Sequence, residues 1–235
     1  MKRLILLLLL LSLTPAGKAI AAENILVLGG TGRLGSEVVR AALANGHAVS
    51  VYAREGASRA RLADAKVKYV AGDLGSTSQL DAAMRSVRPT VVIDASGRRT
   101  DDQSYSHAIT MPVIVEAARH TGTRQIIFIS SVGAGENLKK FQHIPWGEYL
   151  PLLEERGIAE RALMSSGIPF TVIRTGNVPD PAIPATGAAY LTEDQSVFGV
   201  STRPDLAKLT AECIGASKCR NKVFHVADRK LKPPL

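Results

Sequence analysis

A glycine-rich run, Gly29-Gly30-Thr31-Gly32-Arg33-Leu34-Gly35, constrains this chain more than any other feature. Before it stands Ile25-Leu26-Val27-Leu28, an apolar run with the makeup of a buried strand. After it, Leu34 to Leu43 reads as a helix with Leu34, Val38, Val39 and Ala42 on one face. Strand, glycine turn and helix in direct succession bring the helix's unpaired N–H groups to the turn, where a pyrophosphate can rest. Gly29 permits the tight turn, Gly32 lets the backbone approach phosphate, and Gly35 lets helix and strand pack closely. No Gly-Lys-Ser/Thr follows, which excludes a P-loop.

The rest of the chain repeats the same alternation. Ala48 to Tyr52, Lys66 to Val70, Thr90 to Ile93, Gln125 to Ile129 and Phe170 to Ile173 read as strands. Between them lie helical stretches around Leu80–Met84, Ser104–Arg119 and Tyr149–Ser165. A last helix, Pro204 to Ile214, stops at Gly215, and Val223-Phe224-His225-Val226 closes the sheet. Strands apolar on both faces and joined by helices predict an α/β fold with a doubly wound parallel sheet, its ligand crevice at the strands' carboxyl ends. With 235 residues, 46% of them hydrophobic, the chain has material for one such domain, assigned to residues 23–235. From Asn177 to Ser201 the pattern dissolves into prolines and glycine, and residues 177–201 read as a loop forming a small substrate lobe over the crevice.

Residues 1–22 read as a secretory signal peptide: Lys2 and Arg3, the run LILLLLLLSL, then Ala19-Ile20-Ala21-Ala22 with cleavage after Ala21 or Ala22. So short an apolar run falls short of a bilayer core of ~30 Å as a helix. The expectation is export to a periplasm-like compartment with no stable membrane span after cleavage; an uncleaved signal would instead anchor the protein. Lys2, Arg3 and Lys18 leave with the leader, so the formal net charge of +8 overstates any case for nucleic acid as a partner. No basic stripe interleaved with aromatics appears, and no metal-ligand cluster.

Four further motifs complete a pattern: Gly72-Asp73-Leu74, Ala95-Ser96-Gly97, Phe128-Ile129-Ser130-Ser131 and Ile173-Arg174-Thr175-Gly176, each at a strand's end. Together with the G-x-x-G-x-x-G spacing they resemble an atypical, extended-like short-chain dehydrogenase/reductase. The similarity is to the NAD(P)H-binding, NmrA-like group that includes flavin and biliverdin reductase relatives, and it covers roughly residues 24–228. It implies a Rossmann fold with Gly29, Thr31, Gly32, Arg33, Leu34 and Gly35 at the cofactor's phosphates. It further implies Asp73 and Leu74 flanking adenine, Ala95, Ser96 and Gly97 lining ribose, Ser130 and Ser131 near the nicotinamide, and Arg174 and Thr175 shaping the pocket wall. Purely structural readings stay open for two of these: Asp73 as the cap of the next helix, and Ser130-Ser131 as a strand end. At the end of the second strand NAD-preferring proteins place an acid. Here stand Val51-Tyr52-Ala53-Arg54, with Arg33 nearby, and two guanidinium groups suit a 2′-phosphate. NADP is therefore expected, with NAD the alternative and ordinary surface charge the bland reading of both arginines.

The chain departs from the larger superfamily at its Tyr-x-x-x-Lys pair, in which lysine tunes a proton-donating tyrosine. No tyrosine here has lysine four residues on. Aligning Ala159-Glu160-Arg161-Ala162-Leu163 with the A-E-x-x-L pattern puts Leu152 at the tyrosine position and Arg156 at the lysine position. Ser130, Ser131 and Tyr149, one helical turn earlier, are the remaining catalytic candidates. Arg98-Arg99 as an anion contact, and His143 and Trp146 as a stacking surface, are weaker ones. Three functions follow: an NADPH-dependent reductase of a planar small-molecule acceptor such as a flavin or quinone, a non-catalytic NAD(P)-binding redox sensor or assembly factor, and, disfavoured by the missing pair, an epimerase acting on nucleotide sugars. Cys213 and Cys219 would lie about 9 Å apart along one continuous helix, but Gly215 lets the chain turn back between them. Export then predicts a disulfide; two buried free thiols are the alternative.

Overall fold

The computed structural model describes residues 21–97, 106–179 and 183–233. Residues 1–20, most of the expected signal peptide, and Arg98-Arg99 lie outside the described residues. Strands and helices alternate as β1 Asn24–Leu28, α1 Arg33–Ala44, β2 Ala48–Ala53, β3 Lys68–Ala71, α2 Thr77–Val87, β4 Val91–Asp94, α3 His107–Thr121 and β5 Gln125–Ser131. They continue as α4 Leu150–Met164, β6 Phe170–Thr175, β7 Ala189–Thr192, α5 Arg203–Glu212 and β8 Lys222–Asp228. The described strands form one sheet in the order β3-β2-β1-β4-β5-β6-β8-β7, parallel except for β7. The order reverses between β1 and β4, which opens the crevice at the carboxyl ends of those strands.

Period-two alternation divides the core between two faces. Ile25, Val27, Ile127, Ile129 and Ile173 pack on Val38, Val39 and Ala42 of α1 and on Leu206, Ala207 and Ala211 of α5. Leu26, Leu28, Ile126, Phe128 and Val172 point the other way, onto α2, α3 and α4 through Leu80, Met84, Met111, Ile114 and Leu163. Burying each such side chain contributes about 1.5–3 kcal/mol, so a strand must be apolar at every position. No helix of the described residues is long and apolar enough to cross a membrane.

Two expectations need correction. The stretch 177–201 is not all loop: Ala189–Thr192 forms β7, antiparallel to β8. Four residues are too few to show a period, and the strand's partner lies far downstream. The lobe is also pinned by its base. Asp205 accepts from the N–H groups of Thr186 and Gly187 at 2.7 and 3.1 Å and from the Thr202 hydroxyl at 2.8 Å. Next, β6 runs two residues past Ile173, through Arg174 and Thr175, with consequences for the site. Cys213 and Cys219 form a disulfide across a Cα–Cα distance of 5.4 Å, with α5 ending at Glu212 and Gly215 at φ +67°.

Candidate functional site

The glycine loop builds its end of the crevice by close backbone approach. A Cβ on Gly35 would stand 2.1 Å from the Gly29 carbonyl oxygen, and one on Gly29 would stand 2.6 Å from the Cα of Ser96. Glycine is therefore forced at both positions. Ser76, Ser106 and Thr202 cap α2, α3 and α5 with their hydroxyls, whereas α1 begins at Gly32 with no side-chain cap and no acid in its first turn. Its leading N–H groups and positive dipole end are left to an anion.

The crevice has a volume of about 620 Å³. Gly29, Thr31, Gly32, Arg33 and Leu34 line one side; Tyr52, Arg54, Arg61 and Asp73-Leu74 close the end beyond β2 and β3. Ala95, Ser96 and Gly97 form the floor after β4, and Ile129, Thr175, Arg156 and Arg203 the far end. Among the described residues no carboxylate pairs with Arg33, Arg54 or Arg61, and Asp73 is the one acid on this wall. Asp73 itself accepts from the Gly75 N–H at 2.8 Å, while the cap of α2 falls to Ser76. The Tyr52 hydroxyl donates to the Asp73 carbonyl at 3.0 Å. Burial first, and the Asp73 charge second, push that phenol up to about 12. Gly72 is glycine because a Cβ there would meet the Tyr52 ring at 2.4 Å.

Behind the floor lies a buried polar network that the sequence did not disclose. The Ser96 hydroxyl donates to Asp94 at 2.6 Å, and its N–H donates to the same oxygen at 3.0 Å. His107 Nε2 stands 3.3 Å from both the Ser96 hydroxyl and its carbonyl. Because the hydroxyl proton is committed to Asp94, the network assigns a proton to Nε2. Burial, then the nearby Arg156 charge, hold this imidazole below its ordinary value, hence neutral. These groups fix the Ala95-Ser96-Gly97 turn against the glycine loop.

Several predicted residues fall elsewhere. Gly35 shapes the loop from behind rather than lining the crevice. Arg174 does not reach it. Inside β6, Thr175 takes the crevice side and Arg174 the opposite one, where its guanidinium binds Glu160 of α4 at 3.0 and 2.5 Å and Gln195 at 2.8 Å. Ser130 is fully buried with its hydroxyl lacking a partner, Ser131 is half-buried, and neither lines the crevice. Tyr149 sits in a 3-10 turn before α4 with 59% of its surface exposed, away from the crevice. His143 is exposed, and Trp146 donates to the Phe141 carbonyl at 3.1 Å and packs near Phe198 rather than in the crevice. Arg156 does line it, donating to the Ile129 carbonyl at 2.9 Å. Arg61 and Arg203 are charged crevice residues that sequence reasoning missed; the only signal for Arg61 is a basic residue shortly after β2.

This arrangement fits a dinucleotide: an uncapped helix end for the pyrophosphate, an arginine-rich end beyond β2, and a long crevice across the switch point. The photosystem II assembly factor Ycf39 of Cyanophora paradoxa is 26% identical over 211 residues, 86% of this chain and 62% of that protein. The chain thus spans about three fifths of that relative's length. ChuY, an anaerobilin reductase from Escherichia coli O157:H7, superposes with a TM-score of 0.77 at 23% identity, covering 89% of this chain and 99% of that one. A short-chain dehydrogenase/reductase from Veillonella parvula in complex with NADP gives 0.68 at 16% identity, covering 90% and 98%. The NAD(P)H-binding family matches residues 29–217. The chain belongs to that family.

Proposed function

We propose that this protein is an NADPH-dependent reductase of a planar, conjugated acceptor of the flavin or quinone type. The observation that carries the reading is α4. The positions of the proton-donating pair hold Leu152 and Arg156, and Arg156 lies on the crevice wall with its guanidinium bonded to Ile129. An arginine neither relays nor tunes a proton near neutrality. Among the described residues the one phenol on the wall, Tyr52, is held up near 12 and bonded to the Asp73 carbonyl. A simple ketone needs its developing alkoxide protonated, help worth about 10²–10⁴-fold. A conjugated ring spreads the incoming charge and takes its proton from solvent.

Bound NADPH would supply the hydride. The chain's own residues do the rest: the uncapped start of α1 seats the pyrophosphate, Arg33 and Arg54 favour a 2′-phosphate, and Ser96 holds the ribose end against the buried Asp94. Export through the leader, with the Cys213–Cys219 disulfide formed in an oxidising compartment, belongs to the same proposal.

NADPH oxidation measured with a flavin, a quinone and a simple ketone under identical conditions tests the reading. Turnover with a ring acceptor and none with the ketone supports it; turnover of the ketone alone overturns it. A second reading, a non-catalytic NAD(P)-binding module serving assembly of a partner, draws on the same lack of a proton donor and on the likeness to Ycf39. It is favoured if NADPH binds and no acceptor is turned over.

A further inference from the structure

Arg61 stands in a single 3-10 turn, Ala60–Leu62, in the connection between β2 and β3. Such a surface turn needs anchors to hold a side chain in place, and it has two. Leu62, 2% exposed, inserts into the core cluster that includes Val38, Val39 and Ala42 of α1. Arg40 of α1 grips Asp64 bidentately at 2.6 and 3.0 Å and donates to the Arg61 carbonyl at 2.7 Å.

The ion pair is solvent-exposed, with side-chain exposures of 40% and 73%, so it adds little to stability. Its geometry matters more. Asp64 lies three residues from Arg61, within reach on one turn. Arg40 occupies both oxygens of that carboxylate. The acid best placed to neutralise Arg61 is thereby held by another cation, and Arg61 keeps its charge on the crevice wall beside Arg33 and Arg54.

We propose that Arg61 is a specificity-determining residue for the cofactor's 2′-phosphate, and that Arg40 is its positioning residue, holding the turn and keeping Asp64 away from it. This inference rests on the NADP(H) reading above. Selectivity for the phosphorylated cofactor then resides in α1 and the turn after β2 as much as in Arg54.

Direct titration of NADPH and NADH, with 2′,5′-ADP and 5′-AMP as fragments, tests it without any turnover. The readout is the ratio of the NADH to the NADPH dissociation constant. Loss of one charge-assisted hydrogen bond predicts that Arg61→Gln lowers this ratio about 10- to 100-fold. Arg40→Gln lowers it less, and adding Asp64→Asn to Arg40→Gln restores part of the loss, because no carboxylate is left to capture Arg61. A purely structural role for Arg40 would show no such restoration. A ratio in Arg61→Gln equal to wild type overturns the assignment of Arg61, and an Arg40→Gln loss that Asp64→Asn fails to repair overturns the role of Arg40. A wild-type ratio near one instead refutes the NADP(H) reading beneath both. Should Arg40→Gln fold poorly, Arg61→Gln alone, at an exposed position, still decides.

Discussion

Replacing Arg174 with methionine separates its two assignments, cofactor wall or buried structural tie. Arg174 and Glu160 have side-chain exposures of 10% and 2%. Arg174→Met removes both bonds to the Glu160 carboxylate and the bond to Gln195. The carboxylate would then be buried with no cation. Stripping one partner from a buried pair costs about 3–5 kcal/mol, a large share of the 5–15 kcal/mol typical of a whole domain. Glu160→Leu should cost about as much, by leaving the guanidinium stranded. The double variant Arg174→Met/Glu160→Leu removes both charges and should be more stable than either single one, because apolar replacement of a whole buried pair is often close to neutral. Urea unfolding of wild type, both singles and the double closes this cycle. The reasoning is refuted if Arg174→Met unfolds within about 0.5 kcal/mol of wild type and instead loses NADPH affinity, for that would return Arg174 to the cofactor.

Three other outcomes are expected. Gly35→Ala forces a methyl to 2.1 Å from a carbonyl oxygen that cannot move without the loop; it should cost about 1–3 kcal/mol in urea unfolding and abolish NADPH binding, and normal binding would contradict the cradle. The purified, denatured and unreduced protein should show no reactive thiol, and Cys213→Ala/Cys219→Ala should lose roughly 2 kcal/mol for so short a loop; two titratable thiols would exclude the bridge. Burial holds His107 and His225 below their ordinary value, so the unfolded chain takes up protons first: stability should be level above about pH 6.5 and fall as pH drops below it. His225→Met should flatten that slope in urea titrations from pH 8 to 5, and an unchanged slope would remove His225 from the account.

The framework was legible where one physical cause acts locally. Ile25–Leu28, the glycine run and the Leu34–Leu43 face announce β1, the turn and α1, because burial on both faces demands unbroken apolar runs and close backbone approach demands glycine. β7 was illegible because Ala189–Thr192 is held by pairing with β8, and the turn that leads into it, at Thr186 and Gly187, by Asp205, partners remote in sequence. The Asp94–Ser96–His107 network failed to show for the same reason: a histidine at the start of α3 looks like surface until the fold buries it.

The residues misjudged most are those whose role turns on a one-residue phase. Ile173-Arg174-Thr175 carries the family's pattern, but a strand sends successive side chains to opposite faces, and the pattern alone does not say how far the strand continues. Once β6 reaches Thr175, Arg174 must point at α4, and Glu160 is there to meet it. Glu160 lies one turn beyond Arg156 on the same helix, so the buried pair also sets the rotation of α4 that brings Arg156 to the crevice. Where a reductase of the usual kind would have a lysine at that turn, this chain has an arginine held by the Ile129 carbonyl. The fold is thus preserved through α4 while the tyrosine–lysine pair normally carried on that helix is absent from the sequence. For that reason turnover with any acceptor at all, which separates the proposed reductase from a binding module, is the property to measure first.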